Sequence, residues 1–280
     1  MIYLDNNATT QPDPRVVAAM AECLTTNYAN PSSTHRFGQE ARQAVEQARY
    51  QVAQLLNCST RELLFTSGGT EADNAALLGL LPARPDAKTI LTSAVEHSAV
   101  RQPLEALAKR GYRIVTIGVD TAGRLDMTAL EIALGDPAVA LASIMWANNE
   151  TVVIFDIAAI GALARRNRVP LHVDGVQAAG KLPIDLTGAH QDIDLLSLSA
   201  HKFHGPKGVG ALFVRRGVNW TPLLRGGPQE RDRRGGTENV PGIVGMGQAT
   251  ALAQAELAAG TGTVRIAGLR DRLERGLLER

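Results

Sequence analysis

Short runs of aliphatic and β-branched residues recur along this chain with helical stretches between them, and that alternation limits the possible fold more than any other feature. Runs at 62–65, 89–92, 113–116, 139–145, 171–173, 195–199 and 210–214 read as buried strands. Segments 36–56, 71–80, 100–110, 127–134 and 157–167 carry apolar residues at helical spacing. Such alternation predicts an α/β protein, with a mainly parallel sheet flanked by helices on both faces. Ligands in sheets of this kind sit beyond the carboxyl ends of the strands. The residues with the most chemistry cluster where these runs end.

The chain has 280 residues, enough for one large α/β domain or two smaller ones. Hydrophobic residues at 45% and charged residues at 20% exclude a disordered chain. With 29 basic and 28 acidic residues the formal net charge is +1, so no footprint for nucleic acid stands out. No apolar run reaches the roughly 18–20 residues that a membrane span needs. The first residues lack the charged-then-apolar layout of a signal peptide. Cys23 and Cys58 are too few for a disulfide framework, which points to a reducing cytoplasm. From Ala251 onward strands cease, and 264–280 reads as one amphipathic helix without a closing cap. The expected division is an N-terminal arm (1–12), a large domain (13–250), and a helix (251–280) leading into a C-terminal small domain that is largely missing.

Lys202 stands in Ser199-Ala200-His201-Lys202-Phe203-His204-Gly205, and it is one of five lysines, with Lys88, Lys109, Lys181 and Lys207. A lysine between histidines at a strand end is open to desolvation, which lowers its pKa toward amine chemistry. A plain surface lysine is the alternative. His201 and His204 have no third ligand nearby, so no metal is expected. Asp174 ends an apolar run and, if buried, needs a cationic or hydrogen-bonding partner. A protonated pyridine nitrogen is one such partner; capping the next helix is the other reading. Thr66-Ser67-Gly68-Gly69-Thr70-Glu71 follows a strand and opens a helix, where free N–H groups suit a phosphate. Its spacing matches neither the Walker loop nor the dinucleotide fingerprint. His97 can stack on a planar ring or move protons, or simply be satisfied in its loop. Asn149 can bind a ring oxygen or a substrate carboxylate, or shape a turn. The Gly/Arg-rich segment 224–239, which contains Thr237, reads as a flexible basic loop or as donors for a phosphate. An amine, a carboxylate, an anion-binding helix start and a stacking histidine together form the set that a pyridoxal phosphate site requires.

The motifs fall in one order along the chain: Tyr3-Leu4-Asp5-Asn6-Asn7-Ala8-Thr9-Thr10, Asn30-Pro31-Ser32-Ser33, Ser67-Gly68-Gly69-Thr70-Glu71, Val95-Glu96-His97, Asn148-Asn149-Glu150-Thr151, His172-Val173-Asp174 and Ser199-Ala200-His201-Lys202. In these the chain resembles the class V aminotransferase superfamily, and within it the cysteine desulfurases of the NifS/IscS type. The resemblance implies a cytoplasmic, homodimeric, fold-type I enzyme dependent on pyridoxal 5'-phosphate. Such an enzyme takes sulfur from L-cysteine, leaving L-alanine and an enzyme persulfide. The sulfur goes to an acceptor or scaffold protein for iron–sulfur cluster assembly or other sulfur transfer.

Carried onto this chain, the resemblance implies that Lys202 holds the cofactor covalently and Asp174 pairs with its ring nitrogen. His97 would stack on the ring and assist proton transfer, and Gln177 would hydrogen-bond the phenolic oxygen. Gly69, Thr70, Ser199 and His201 would hold the phosphate, Thr237 would reach the partner subunit's phosphate, and Asn149 would sit by cofactor and substrate. In the family the persulfide cysteine and the arginine for the substrate carboxylate lie in the C-terminal region, and both are expected to be absent here. Cys23 and Cys58 match no nucleophile position and read as structural. The family usually has glycine where Val152 stands, and valine tolerates positive φ poorly, so this turn is expected to be strained or reshaped. The alternatives are a related class V enzyme, such as a selenocysteine lyase or aminotransferase, and a non-catalytic cofactor-binding fragment.

Overall fold

In the computed structural model, which describes residues 2–279, seven strands form one sheet. They are β1 (Leu63–Thr66), β2 (Thr89–Ser93), β3 (Arg113–Ile117), β4 (Val139–Met145), β5 (Leu171–Asp174), β6 (Leu195–Ser199) and β7 (Gly210–Val214). Each coincides with an expected run to within a residue at either end. Their spatial order is β1-β7-β6-β5-β4-β2-β3. Every pair from β3 across to β6 is parallel, whereas β7 runs antiparallel to both β6 and β1. The reason is the connection 200–209, which is shorter than the dozen or more residues a parallel crossover needs.

The helices are α1 (Pro14–Thr26), α2 (Arg36–Leu56), α3 (Gly69–Leu80), α4 (Ser98–Ala108), α5 (Met127–Leu134), α6 (Ile157–Arg166), α8 (Val240–Ala259) and α9 (Thr261–Leu278), with a short left-handed turn, α7 (Gln229–Asp232), before α8. Successive strand residues face opposite ways, and the core divides accordingly. Leu64, Ile90, Leu141, Leu195 and Leu212 join an apolar cluster with residues of α3 and α4. Leu63, Leu91, Ala142, Leu196 and Phe213 join a second cluster with residues of α2, α6 and α8. Burial along β4 to β7 is unbroken, as a sheet covered on both faces requires.

Local chemistry sets the helix ends. Asp13, Asp126 and Asp156 accept backbone N–H bonds at the starts of α1, α5 and α6, and Pro14 occupies the first position of α1. α3 differs, because its N-cap is Gly68, which offers no side-chain acceptor. It also begins at Gly69 rather than at Glu71, so Gly69 and Thr70 fall in its first turn with their N–H groups open.

No helical periodicity is evident over 240–250, yet α8 starts at Val240. Its glycines explain this: a Cβ on Gly245 would meet Met20 Sδ at 2.7 Å, and one on Gly247 would meet Ala48 Cα at 2.7 Å. Close packing against α1 and α2 thus takes glycine where a sequence reading expects larger apolar residues. Residue 250, the expected domain end, lies inside α8. The helix expected over 264–280 is α9; Arg280 lies outside the described residues. Among the described residues no helix is long and apolar enough to cross a membrane.

Candidate active site

Strand register builds the site. Asp174, the last residue of β5, stands opposite Met145 of β4 and Ser197 of β6, so three parallel strands end side by side. Over that edge lies a cavity of about 220 Å³. It is lined by Gly69, Thr70, His97, Asn149, Asp174, Gln177, Ser199, His201 and Lys202, nine of the ten residues expected to form the site. Asp73, Met145, Val176, Ala8 and Ala99 complete the wall. A larger cavity, about 380 Å³, lies by Pro170 and Asp194 before β5 and β6, at the other end of the sheet from these groups.

Lys202 closes the short turn after β6. Its Nζ donates to the carbonyls of Asn7 (2.6 Å) and Ala8 (2.9 Å), so the N-terminal arm covers the amine. Desolvation lowers the Lys202 pKa, against the pull of Asp174 and Asp5. The same arm is fixed by Gln177 Nε2 donating to Asn7 O (2.8 Å), by Asn7 Nδ2 donating to Asn149 O (3.0 Å), and by Thr10 bonding His201 O. His97 caps α4 through Nδ1, which accepts from Ala99 N at 3.1 Å; in that tautomer the ring proton is on Nε2. A Cβ on Gly69 would meet Val176 Cγ2 at 2.7 Å, so only glycine lets the start of α3 approach the turn after β5.

Three buried carboxyls lie beneath the cavity. Asp174 Oδ1 accepts from Val176 N (3.0 Å), and desolvation raises its pKa, with His97 and Lys202 opposing. Asp73 has an Oδ1 with no hydrogen-bond partner among the described residues, and burial beside Asp174 raises its pKa well above the usual range. Glu96 accepts from Ser93 Oγ and Met145 N through Oε1, and burial pushes its pKa up to about 8. His172, buried between the hydroxyls of Ser143 and Ser197 (2.9 Å each), is held neutral by desolvation, its pKa pulled down to about 3.

Thr237 is the expected residue that this cavity does not contain. It lines a separate cavity of about 120 Å³ with Phe65, Ser67 and Asn239. Its loop is clamped: Glu230 makes a buried bidentate pair with Arg49 (2.7 Å to each nitrogen), and Arg234 pairs with Glu71 (2.9 Å). Val152 adopts φ +62 in the turn beside Asn149, the left-handed conformation that glycine favours. Asp73, Glu96, Lys181 and the arm residues Asn7 and Ala8 were not assigned site roles from sequence. For Asp73 a signal existed: it follows Gly69 by four residues on a helix, so the two share a face.

The fold and the strand-end cavity define an enzyme of one family. A family model described as aminotransferase class-V matches residues 2–279, and the chain belongs to that family. It is 52% identical over 279 residues to cysteine desulfurase 2 of Trichormus variabilis, an alignment that covers 99% of this chain and 68% of that protein. A solved structure of a NifS-like protein matches with TM-score 0.94 at 40% identity, over 99% of this chain and 76% of that one. Another, SspA in complex with cysteine, matches with TM-score 0.85 at 36% identity, over 89% and 72% respectively.

Proposed function

We propose that this chain is a pyridoxal 5'-phosphate-dependent cysteine desulfurase that takes sulfur from L-cysteine and leaves L-alanine. One observation carries the reading: a half-buried amine, a buried carboxylate and an uncapped helix start line one cavity at the strand ends. That donor set fits the cofactor group by group, with an amine for its carbonyl carbon, a carboxylate for its ring nitrogen and N–H groups for its phosphate. When bound, pyridoxal phosphate supplies a sink for the electron pair left when the substrate Cα loses its proton.

The chain's own residues divide the remaining work. Lys202 Nζ, whose pKa burial lowers, would hold the cofactor's carbonyl carbon and, once the substrate's amino group has displaced it there, would be the base that takes the Cα proton of L-cysteine. Asp174, costly as a lone buried anion, favours a protonated ring nitrogen opposite it. The N–H groups of Gly69 and Thr70, the Ser199 hydroxyl and His201 hold the phosphate. His97 would face the ring, with Nε2 available to pass protons; Gln177 would donate to the phenolic oxygen, and Asn149 would sit by cofactor and substrate.

Cys58 does not line the cavity, and burial pushes its thiol up to about 12, which disfavours the thiolate a sulfur acceptor needs. Burial also raises the pKa of Cys23, which is outside the cavity. Thr237, outside the cavity of its own chain, is assigned to the phosphate of a second copy, which makes the working unit a homodimer. We place this unit in the cytoplasm, supplying sulfur to an acceptor protein for iron–sulfur assembly or related transfer. Its N-terminal arm and large domain carry the cofactor.

The test is direct. The chain is incubated with pyridoxal phosphate, reduced with borohydride and digested, and the modified peptide is mapped. Label on Lys202, lost in Lys202→Ala, is the expected result. A folded chain that carries no label on Lys202 overturns the proposal.

A further inference from the structure

Among the described residues, Lys181 is a half-buried cation beside the cavity that the mechanism leaves unused. It follows Gln177 by four residues in the helical turns after β5, and its Nζ donates to Gln177 Oε1 at 2.6 Å. It makes no ion pair among the described residues. Burial, with Lys202 nearby, pulls its pKa down to about 8. Keeping an unpaired amine in such a place costs stability that an apolar side chain would not.

The geometry shows what the lysine does there. A glutamine amide has an accepting end and a donating end. With Oε1 engaged by Lys181, the donating Nε2 is the end that meets Asn7 O, at 2.8 Å on the cavity wall. The same Asn7 carbonyl takes Lys202 Nζ at 2.6 Å. Lys181, Gln177, Asn7 and Lys202 thus form one continuous hydrogen-bonded line.

The charges facing Lys202 are unevenly balanced without it. Asp174 and Asp5 both favour the protonated amine. His201 is kept toward its neutral form by burial and by Lys202, Lys207 and Lys181. Lys181 and Lys202 repel each other, the repulsion showing in the lowered pKa of Lys181, so the Lys181 charge acts against the two carboxylates.

We propose that Lys181 is a positioning residue for this site: it locks the Gln177 amide with Nε2 toward the cavity, and its charge disfavours a proton on the Lys202 nitrogen. The inference rests on the pyridoxal phosphate reading above and concerns how that cofactor's linkage to Lys202 titrates.

The experiment follows the visible absorption of the pyridoxal phosphate-loaded protein against pH, together with cofactor affinity. Lys181→Met removes the charge and the donor while keeping the length. Its midpoint is expected to rise by about one pH unit, the size of shift a nearby like charge produces, and cofactor affinity is expected to fall several-fold. Lys181→Arg keeps the charge and is expected to hold the wild-type midpoint. Should Lys181→Met not fold, as judged by circular dichroism, Lys181→Gln makes the same comparison. An unmoved midpoint in a folded, loaded neutral variant overturns the inference alone. So does equal movement in Lys181→Arg, or loss of fold in both neutral variants, since Lys181 would then serve structure only. If the wild-type chain takes up no cofactor, the functional proposal and this inference fail together.

Discussion

Val152 is a β-branched residue in a left-handed turn (φ +62), with 67% of its surface exposed. Left-handed φ costs an L-residue roughly 1–2 kcal/mol, and so exposed a side chain recovers little of that by packing. Glycine escapes the strain but loses about 0.5–1 kcal/mol in chain entropy. Val152→Gly is therefore expected to stabilise the chain by up to about 1 kcal/mol in urea unfolding; a loss of stability would mean that the valine side chain holds the turn. The turn is legible only through the family resemblance, because glycine usually stands where this chain has Val152 and valine tolerates positive φ poorly. Lys202, Asp174, His97 and Ser199 are legible for another reason: reactive side chains follow apolar runs, where a parallel sheet opens its ligand edge. Asp73 and Lys181 are not. Each sits in helical turns where acids and lysines are usually solvated, and only the tertiary structure shows them beside the cavity.

At the scale of elements, the connection from β7 to α8 is the least expected part of the fold. Its sequence is rich in glycine and arginine and reads as flexible, yet Glu230, Arg231 and Asp232 hold φ of 49, 60 and 63 in succession. Three adjacent left-handed L-residues persist only where their surroundings impose them. Here Arg49 of α2 grips the Glu230 carboxylate with two nitrogens, Phe65 N donates to the same carboxylate at 2.8 Å, and Arg233 donates to Leu63 O at 2.6 Å. Both partners of the pair are almost fully buried, so removing one strands the other. Arg49→Met is expected to cost about 3–5 kcal/mol in denaturant unfolding. The double variant Arg49→Met/Glu230→Leu is expected to recover part of that loss, because no lone charge then remains. A single-variant cost below about 1 kcal/mol would show that the clamp carries no weight. Apart from the edge strand β3, expected to be buried but mostly exposed or half-buried, the strands are legible because burial on both faces makes them continuous apolar runs. This clamp is not, because its partners are 181 residues apart and no local pattern pairs them.

Across the whole molecule, the buried groups under the cavity make stability depend on pH in a way whose sign can be worked out. His172 is lowered from 6.5 to about 3, so its contribution is present above pH 6.5 and is lost as pH falls toward 3. Glu96 is raised from 4.5 to about 8, so its contribution is present below pH 4.5 and is lost as pH rises toward 8. Each group alone gives a slope of about 1.4 kcal/mol per pH unit within its window. Between pH 4.5 and 6.5 the two slopes oppose each other. From 6.5 to 8 His172 is silent and only the falling slope remains, reinforced by Asp73, which is also raised. Above pH 8 the depressed Lys181 acts in the opposite sense, since it is the unfolded chain that still binds its proton. The chain is therefore expected to lose stability from pH 6.5 to pH 8. Glu96→Gln keeps an acceptor for Ser93 and Met145 N and cannot ionise. Relative to wild type, it is expected to flatten the fall by about 1.4 kcal/mol per pH unit over that interval, measured by urea unfolding at half-unit steps of pH. A wild-type curve that rises from 6.5 to 8, or a Glu96→Gln curve with an unchanged slope, would mean that Glu96 gives up its proton in the folded protein at ordinary carboxylate pH, and that water reaches beneath the cavity.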